Sequence, residues 1–202
     1  RKDWMEALNL EAPKTMDDLK NIMVKFAEAN LGNNENNYGM LIDKSLYYST
    51  RGLFAGFKAY PEFWVEKDGK LVWGGTQENV KKALTFLNGL YNDGMLDKEF
   101  ITQSNTDAQA LILNSQTGIV YAGHWLAGTL MKLHDVDENS DWMCVTLPSE
   151  DGSPVEQYLT PNKRGWIVIN KNYEHPEVAA KIRALCTFVA QGGICDGTWW
   201  FS

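Results

Sequence analysis

Two hydrophobic periods alternate along the chain. Residues from Asp3 to Leu10 follow a helical spacing until Pro13 breaks it. Thr15 then stands as an N-cap, with Asp17 and Asp18 in the first turn, where the helix dipole favours anions. Leu19, Ile22, Met23 and Phe26 recur on one helical face, and Gly32 lies shortly beyond its end. Residues 30–37, NLGNNENN, form a polar loop, and 39–60 show no dominant period, with helix the favoured reading. FWVEKDGKLVW, 63–73, reads as a hairpin turning at Asp68-Gly69, where glycine accepts a positive φ. Thr76 is the expected cap of the next helix. Its buried stripe is Val80, Ala83, Leu84, Leu87 and Leu90, and Gly94 ends it.

A short helix is expected from Thr106 to Ser115, then a strand at 118–122. The run IVYAGHWLAG, 119–128, passes from that strand through Gly123 into a helix carrying Leu126, Leu130 and Leu133. DWMCVTLP (142–148) and GWIVIN (165–170) read as further strands, with SEDGSP (149–154) a turn between them. Pro176 at a first helical position opens the last helix, with Val178, Ile182, Leu185 and Val189 inside it and Gly192-Gly193 stopping it. Strands alternating with helices predict an α/β fold around a central sheet.

Composition narrows the function. The chain has 202 residues and a net charge of −7, with no basic run, so nucleic acid is not an expected partner. No stretch of apolar residues is long enough to span a bilayer. Eight Trp, eight Tyr and eight Phe read for the most part as a large aromatic core, but Trp is rarely fully buried, and eight of them leave some for a surface that grips flat apolar ligands. Cys144, Cys186 and Cys195 lack zinc spacing; they read as buried thiols, with a Cys186–Cys195 bridge the alternative. The opening RKDWMEAL, with no initiator Met and already at the start of an amphipathic helix, and the apolar close TWWFS suggest an excerpt of a longer protein.

Catalytic motifs are missing from the sequence: there is no G-x-S-x-G elbow, no phosphate loop and no dinucleotide fingerprint. His124, His134 and His175 form no i, i+4 pair, so no metal or cofactor is expected. A glycan-acting enzyme needs two opposed carboxylates, for which the aromatic-flanked Asp43, Glu62 and Glu66 are the candidates. A plain interaction domain is the third reading.

His124 and Trp125 are the more specific signal. In open α/β sheets, ligands collect beyond the carboxyl ends of strands. An indole there offers a flat face to a ring, and an imidazole exchanges hydrogen bonds with hydroxyls. Gly123 would permit a tight turn. By spacing alone, a core position remains the favoured placement of Trp125.

RKDWMEALNLEAPKTMDDL resembles the segment that opens the second lobe of family 1 extracellular solute-binding proteins, the maltose-binding-protein-like receptors of ABC importers. VEKDGKLVWGGTQENVKKALTFLNGLYNDGMLDKEFIT, AGHW, LPSEDGSPV and NKRGWIVINKNYEHPEVAAKI resemble successive parts of Gram-positive lipoprotein members, in order. The resemblance implies a periplasmic-binding-protein type II-like lobe, a central mixed sheet flanked by helices. Residues 1–170 would be the carboxyl-terminal lobe. Residues 171–202 would be a hinge-proximal helix and tail that pack with the rest of the protein. It further implies a carbohydrate held between this lobe and an amino-terminal one, an ABC permease as partner, and an extracellular, lipid-anchored location. By position, Trp125 matches the family's stacking Trp, His124 its neighbour, Tyr47 and Tyr48 a cleft aromatic, and Arg164 and Trp166 the strand returning to the hinge. Arg51 joins them because a guanidinium clasps hydroxyls or a carboxylate. The loop NLGNNENN lacks the alternating carboxylates of the calcium loop found in some members, so no such metal site is expected.

Overall fold

Thr15 and Asp18 start the longest apolar stripe by exchanging bonds: Asp18 N donates to Thr15 Oγ1 at 3.1 Å, and Thr15 N to Asp18 Oδ2 at 2.9 Å. The computed structural model describes residues 1–157 and 168–190; for Tyr47, Tyr48 and 186–190 it describes the backbone alone. In order, the elements are α1 (Lys2–Ala7), α2 (Met16–Ala29), α3 (Tyr47–Gly56), β1 (Trp64–Lys67), β2 (Lys70–Trp73), α4 (Glu78–Asn92), α5 (Asn105–Leu113), α6 (Ala127–His134) and α7 (Glu177–Ala190). Short 3-10 turns cover Gly74–Thr76 and His124–Leu126. Two compact units divide the chain, Arg1–Gln157 and Tyr158–Ser202.

The hairpin forms as expected, with Trp64 opposite Trp73 and Lys67 opposite Lys70. Asp68 and Gly69 take positive φ of 52° and 71° at its turn. Thr76 is not the cap of α4. Gln77 occupies that place without a side-chain bond, because the chain has already closed a 3-10 turn in which Thr76 Oγ1 donates back to Trp73 O at 3.0 Å. Leu84, expected in the buried stripe, is 53% exposed. Val80, Ala83 and Leu90 carry the burial, since α4 leans on α3 along a narrower strip than its apolar spacing offered.

Two of the expected central strands, 118–122 and 142–148, carry no continuous ladder; among the described residues the one ladder is β1 with β2. Isolated parallel bridges join Tyr38 to Thr117 and Thr15 to Ser149, and Leu41 N donates to Ile119 O at 3.0 Å. The reason is spatial: a groove lies between 118–123 and 142–148. Of the third strand, 165–167 lie outside the described residues.

Side chains at 119–121 still alternate as a strand's do. Ile119 packs against Trp4, Met5, Ile22 and Phe26 of α1 and α2. Val120 turns to the cluster of Leu41, Ala108, Ile112, Leu126 and Leu133, and Tyr121 returns to the cluster around Met23, Leu53 and Leu90. Helical layers thus cover both faces of this segment.

Within the second unit, α7 begins one residue after Pro176. Val178 and Ile182, expected inside, are exposed.

Candidate functional site

Leu126 sets the geometry of the 119–128 motif. Its side chain drops into the cluster with Leu41, Ala108, Ile112 and Leu133, which turns its two predecessors outward. Trp125 is 53% exposed, and His124 is exposed beside it. Their rings meet edge to face at 5.4 Å and 73°. The core placement favoured by spacing alone is therefore wrong for Trp125.

Gly123 acts differently from the sequence expectation. Its φ of −87° and ψ of 175° are extended backbone that any residue adopts. Glycine is needed because the indole lies on it. A Cβ there would come within 2.2 Å of Cζ3 and 2.3 Å of Cη2 of Trp125. The indole thus rests against main chain on one side and faces outward on the other.

A second part of the nominated set lies on α3. Tyr47 and Tyr48 fall in its first turn, and Arg51, half-buried, follows one turn later. Helix α3 sits flush on the extended segment that leads to Gly123: a Cβ on Gly52 would lie 2.5 Å from Tyr121 Cδ1 and 3.0 Å from Leu147 Cδ2. Burial pushes the Tyr121 hydroxyl well above its usual range, and its Oη has no hydrogen-bond partner. Side chains of Tyr47 and Tyr48 lie outside the described set. So do Arg164, Trp166 and Cys195, together with the side chain of Cys186; Cys144 is an exposed free thiol.

A polar chain missed in the sequence joins the two parts. Asn105 Nδ2 donates to Asp43 Oδ2 at 2.8 Å, Gln109 Nε2 donates to Asn105 Oδ1 at 2.7 Å, and Thr129 Oγ1 donates to Gln109 Oε1. It runs from the loop before Tyr47, through α5, to the helix after Trp125. The i, i+4 spacing of Asn105 and Gln109 was its one local signal; the rest is tertiary. Asp43 is fully buried. Desolvation pushes its carboxyl up, but bonds from Asn105, the Ser45 hydroxyl and backbone, and Leu46 N outweigh it and hold the group below the usual carboxylate range. A carboxylate held ionised in this way is a poor proton donor. Leu46, between this loop and Tyr47, takes a φ of 55°, a strained value for a residue with a side chain.

Comparison with known proteins adds the following. The family model described as bacterial extracellular solute-binding protein matches residues 1–189. The polygalacturonan/rhamnogalacturonan-binding protein YtcQ of Bacillus subtilis is 26% identical over 141 residues, 69% of this chain and 28% of that protein. Lipoprotein LipO of the same organism is 25% identical over 180 residues, 85% of this chain and 36% of that one. The chain thus spans about a third of the length of these curated relatives. Among solved structures, a solute-binding protein from Bifidobacterium longum infantis, described as HMO binding and ABC-transporter associated, superposes with a TM-score of 0.60. It is 21% identical and covers 73% of this chain and 32% of its own. The Streptococcus pneumoniae substrate-binding protein FusA in complex with kestose gives 0.54 at 25% identity, over 63% of this chain and 27% of that one.

Proposed function

The chain belongs to the bacterial extracellular solute-binding protein family, and from that premise we propose that it is one lobe of a two-lobe receptor that holds a carbohydrate reversibly and does not transform it. The observation that carries this reading is the outward indole of Trp125, seated on Gly123 with His124 at its edge. A sugar ring stacks on the indole, and the imidazole trades hydrogen bonds with hydroxyls. Tyr47, Tyr48 and Arg51 on α3 add to this lobe's contribution, and the family resemblance nominates Arg164 and Trp166 as well. The names of the relatives support a saccharide as the class of solute. Buried, hydrogen-bonded Asp43 gives no support to an acid–base pair.

In this reading residues 1–170 form the carboxyl-terminal lobe, and 171–202 the helix and tail nearest the hinge. The opposite lobe supplies the remaining contacts, closure about the hinge presents the loaded receptor to an ABC permease, and a lipid anchor holds the protein at the cell surface.

The test is calorimetry on the full-length receptor against a panel of oligosaccharides. A micromolar ligand needs about −8 kcal/mol, and one indole face supplies about 0.5–1.5 kcal/mol of it beyond burial. Trp125→Ala should weaken binding roughly threefold to tenfold, with Tm held within a few degrees because the ring is half exposed. Unchanged affinity with a large loss of stability rejects the role. Sub-micromolar binding by the 202-residue chain alone rejects the shared site.

A further inference from the structure

The β1–β2 hairpin carries aromatic surface that the Trp125 site leaves unused. Its register sets Trp64 directly opposite Trp73 and Glu66 opposite Leu71, so these four side chains share one face. Val65 and Val72, on the other face, are half-buried. The shared face is open: Trp64 is 64% exposed, Leu71 70% and Trp73 41%. The two indoles meet near edge to face, with centroids 5.6 Å apart and planes at 67°, so the pair does not close on itself as a stacked pair would.

Trp73 is also held in place. A Cβ on Gly75 would lie 2.7 Å from its Nε1 and 3.3 Å from its Cδ1, so the pyrrole edge of the indole lies along bare main chain. Its carbonyl accepts from Thr76 Oγ1 at 3.0 Å and from Gln77 Nε2 at 3.1 Å. Gly74 in turn abuts the chain ahead of β1: its N donates to Phe63 O at 2.8 Å, and a Cβ on it would fall 2.0 Å from Tyr60 O. Trp125 shows the same device, a ring laid on a glycine two residues away. Gly75 then opens onto a hollow of about 400 Å³ along α4, where Thr76, Glu78, Lys81, Leu84 and Asn88 are among the lining residues. The exposed carboxamide of Asn88 makes no hydrogen bond to another described residue.

We propose that the hairpin face and this hollow form a second carbohydrate site, which takes a neutral polysaccharide chain: Trp64 and Trp73 stack on its sugar rings, and the α4 groups meet its hydroxyls. Three observations select that occupant. Exposed apolar surface rimmed by polar groups marks an interaction site, and here flat rings adjoin both donors and acceptors, the two needs of a sugar. Charge in the hollow cancels, since Glu78 and Lys81 stand 4.0 Å apart, so nothing draws an acidic polymer. Size argues against a protein partner. The two indoles leave about 250 Å² open, a fraction of the roughly 800 Å² that a stable protein interface covers per side. Two platforms and a hollow beside them engage several rings at once, which favours a chain over a single sugar. The site shares no residue with the His124–Trp125 face, so it stands or falls apart from it.

Affinity electrophoresis of the full-length receptor, in native gels cast with amylose, galactan, mannan, xylan or inulin, tests the proposal. At least one of these glycans is expected to retard the receptor. Trp64→Ala/Trp73→Ala should weaken the retardation about tenfold and Asn88→Ala about threefold, whereas Trp125→Ala retains it. Asn88 is exposed within α4, so its variant keeps the test independent of whether the hairpin still folds. Oxidative footprinting read by mass spectrometry should label Trp64 and Trp73 in the free receptor and show them protected by the retarding glycan. Failure of all five glycans overturns the proposal, as does equal retardation of the parent, the hairpin variant and Asn88→Ala. Retardation lost in Trp125→Ala and kept in the hairpin variant overturns a second site. Indoles that stay unlabelled in the free receptor overturn it too, because another part of the protein then covers the face. Dimerisation abolished by the hairpin variant overturns a saccharide as the occupant.

Discussion

Asn105 donates to Asp43 across 62 residues of sequence at 2.8 Å, and so ties the loop that leads into Tyr47 to the helix that reaches toward Trp125. The bond satisfies a fully buried carboxylate, and its loss is correspondingly expensive.

Asn105→Ala should destabilise the chain by about 1–3 kcal/mol, since Asp43 keeps its burial and loses a donor. Its pH dependence has a definite sign. A carboxyl held below its unfolded pKa contributes stability at neutral pH that is lost as pH falls through its folded pKa. The variant, with one donor fewer, should begin acid unfolding at a higher pH than the parent. Urea titrations at pH 7 and pH 4 measure both effects, and identical acid limbs would refute the assignment.

Gly123→Ala should drive the indole off the backbone, because the new Cβ would fall 2.2 Å from Trp125 Cζ3. Near-ultraviolet circular dichroism and the emission of Trp125 should change. Solute affinity of the full-length receptor should fall about tenfold, with a Tm change of only a few degrees. An unmoved spectrum would show that the ring has room the geometry denies it.

Gly52→Val tests the seat of α3. Overpacking against Tyr121 Cδ1 and Leu147 Cδ2 should destabilise by about 1–3 kcal/mol and shift α3 outward. Chemical denaturation reads the first effect. Comparing affinity in the full-length receptor reads the second, since Tyr47, Tyr48 and Arg51 ride on the same helix. A neutral outcome in both would mean that α3 is not held by this contact.

Much of the fold was legible because it rests on local chemistry. Thr15 with Asp18, the Asp68-Gly69 turn and the stripe of α2 all act within a few residues of themselves. Thr76 misled because a neighbouring 3-10 turn took its hydroxyl, and Leu84 because helical spacing does not say how wide a neighbour will be. At the site, the change from strand period to helix period at a glycine singled out His124 and Trp125, but spacing alone put the indole in the core, and only the family resemblance turned it outward. The reason for that glycine was not legible, since close approach of a ring to main chain leaves no trace in a φ preference. Asp43, Asn105, Gln109 and Thr129 span three segments, and no local pattern gathers them.

Seating an aromatic ring on bare backbone has a kinetic corollary. A side chain already confined by its own main chain surrenders little rotational entropy when something meets its open face. Encounter needs no prior rearrangement there, so differences in residence time among ligands should arise from the groups around the ring and from the opposing lobe.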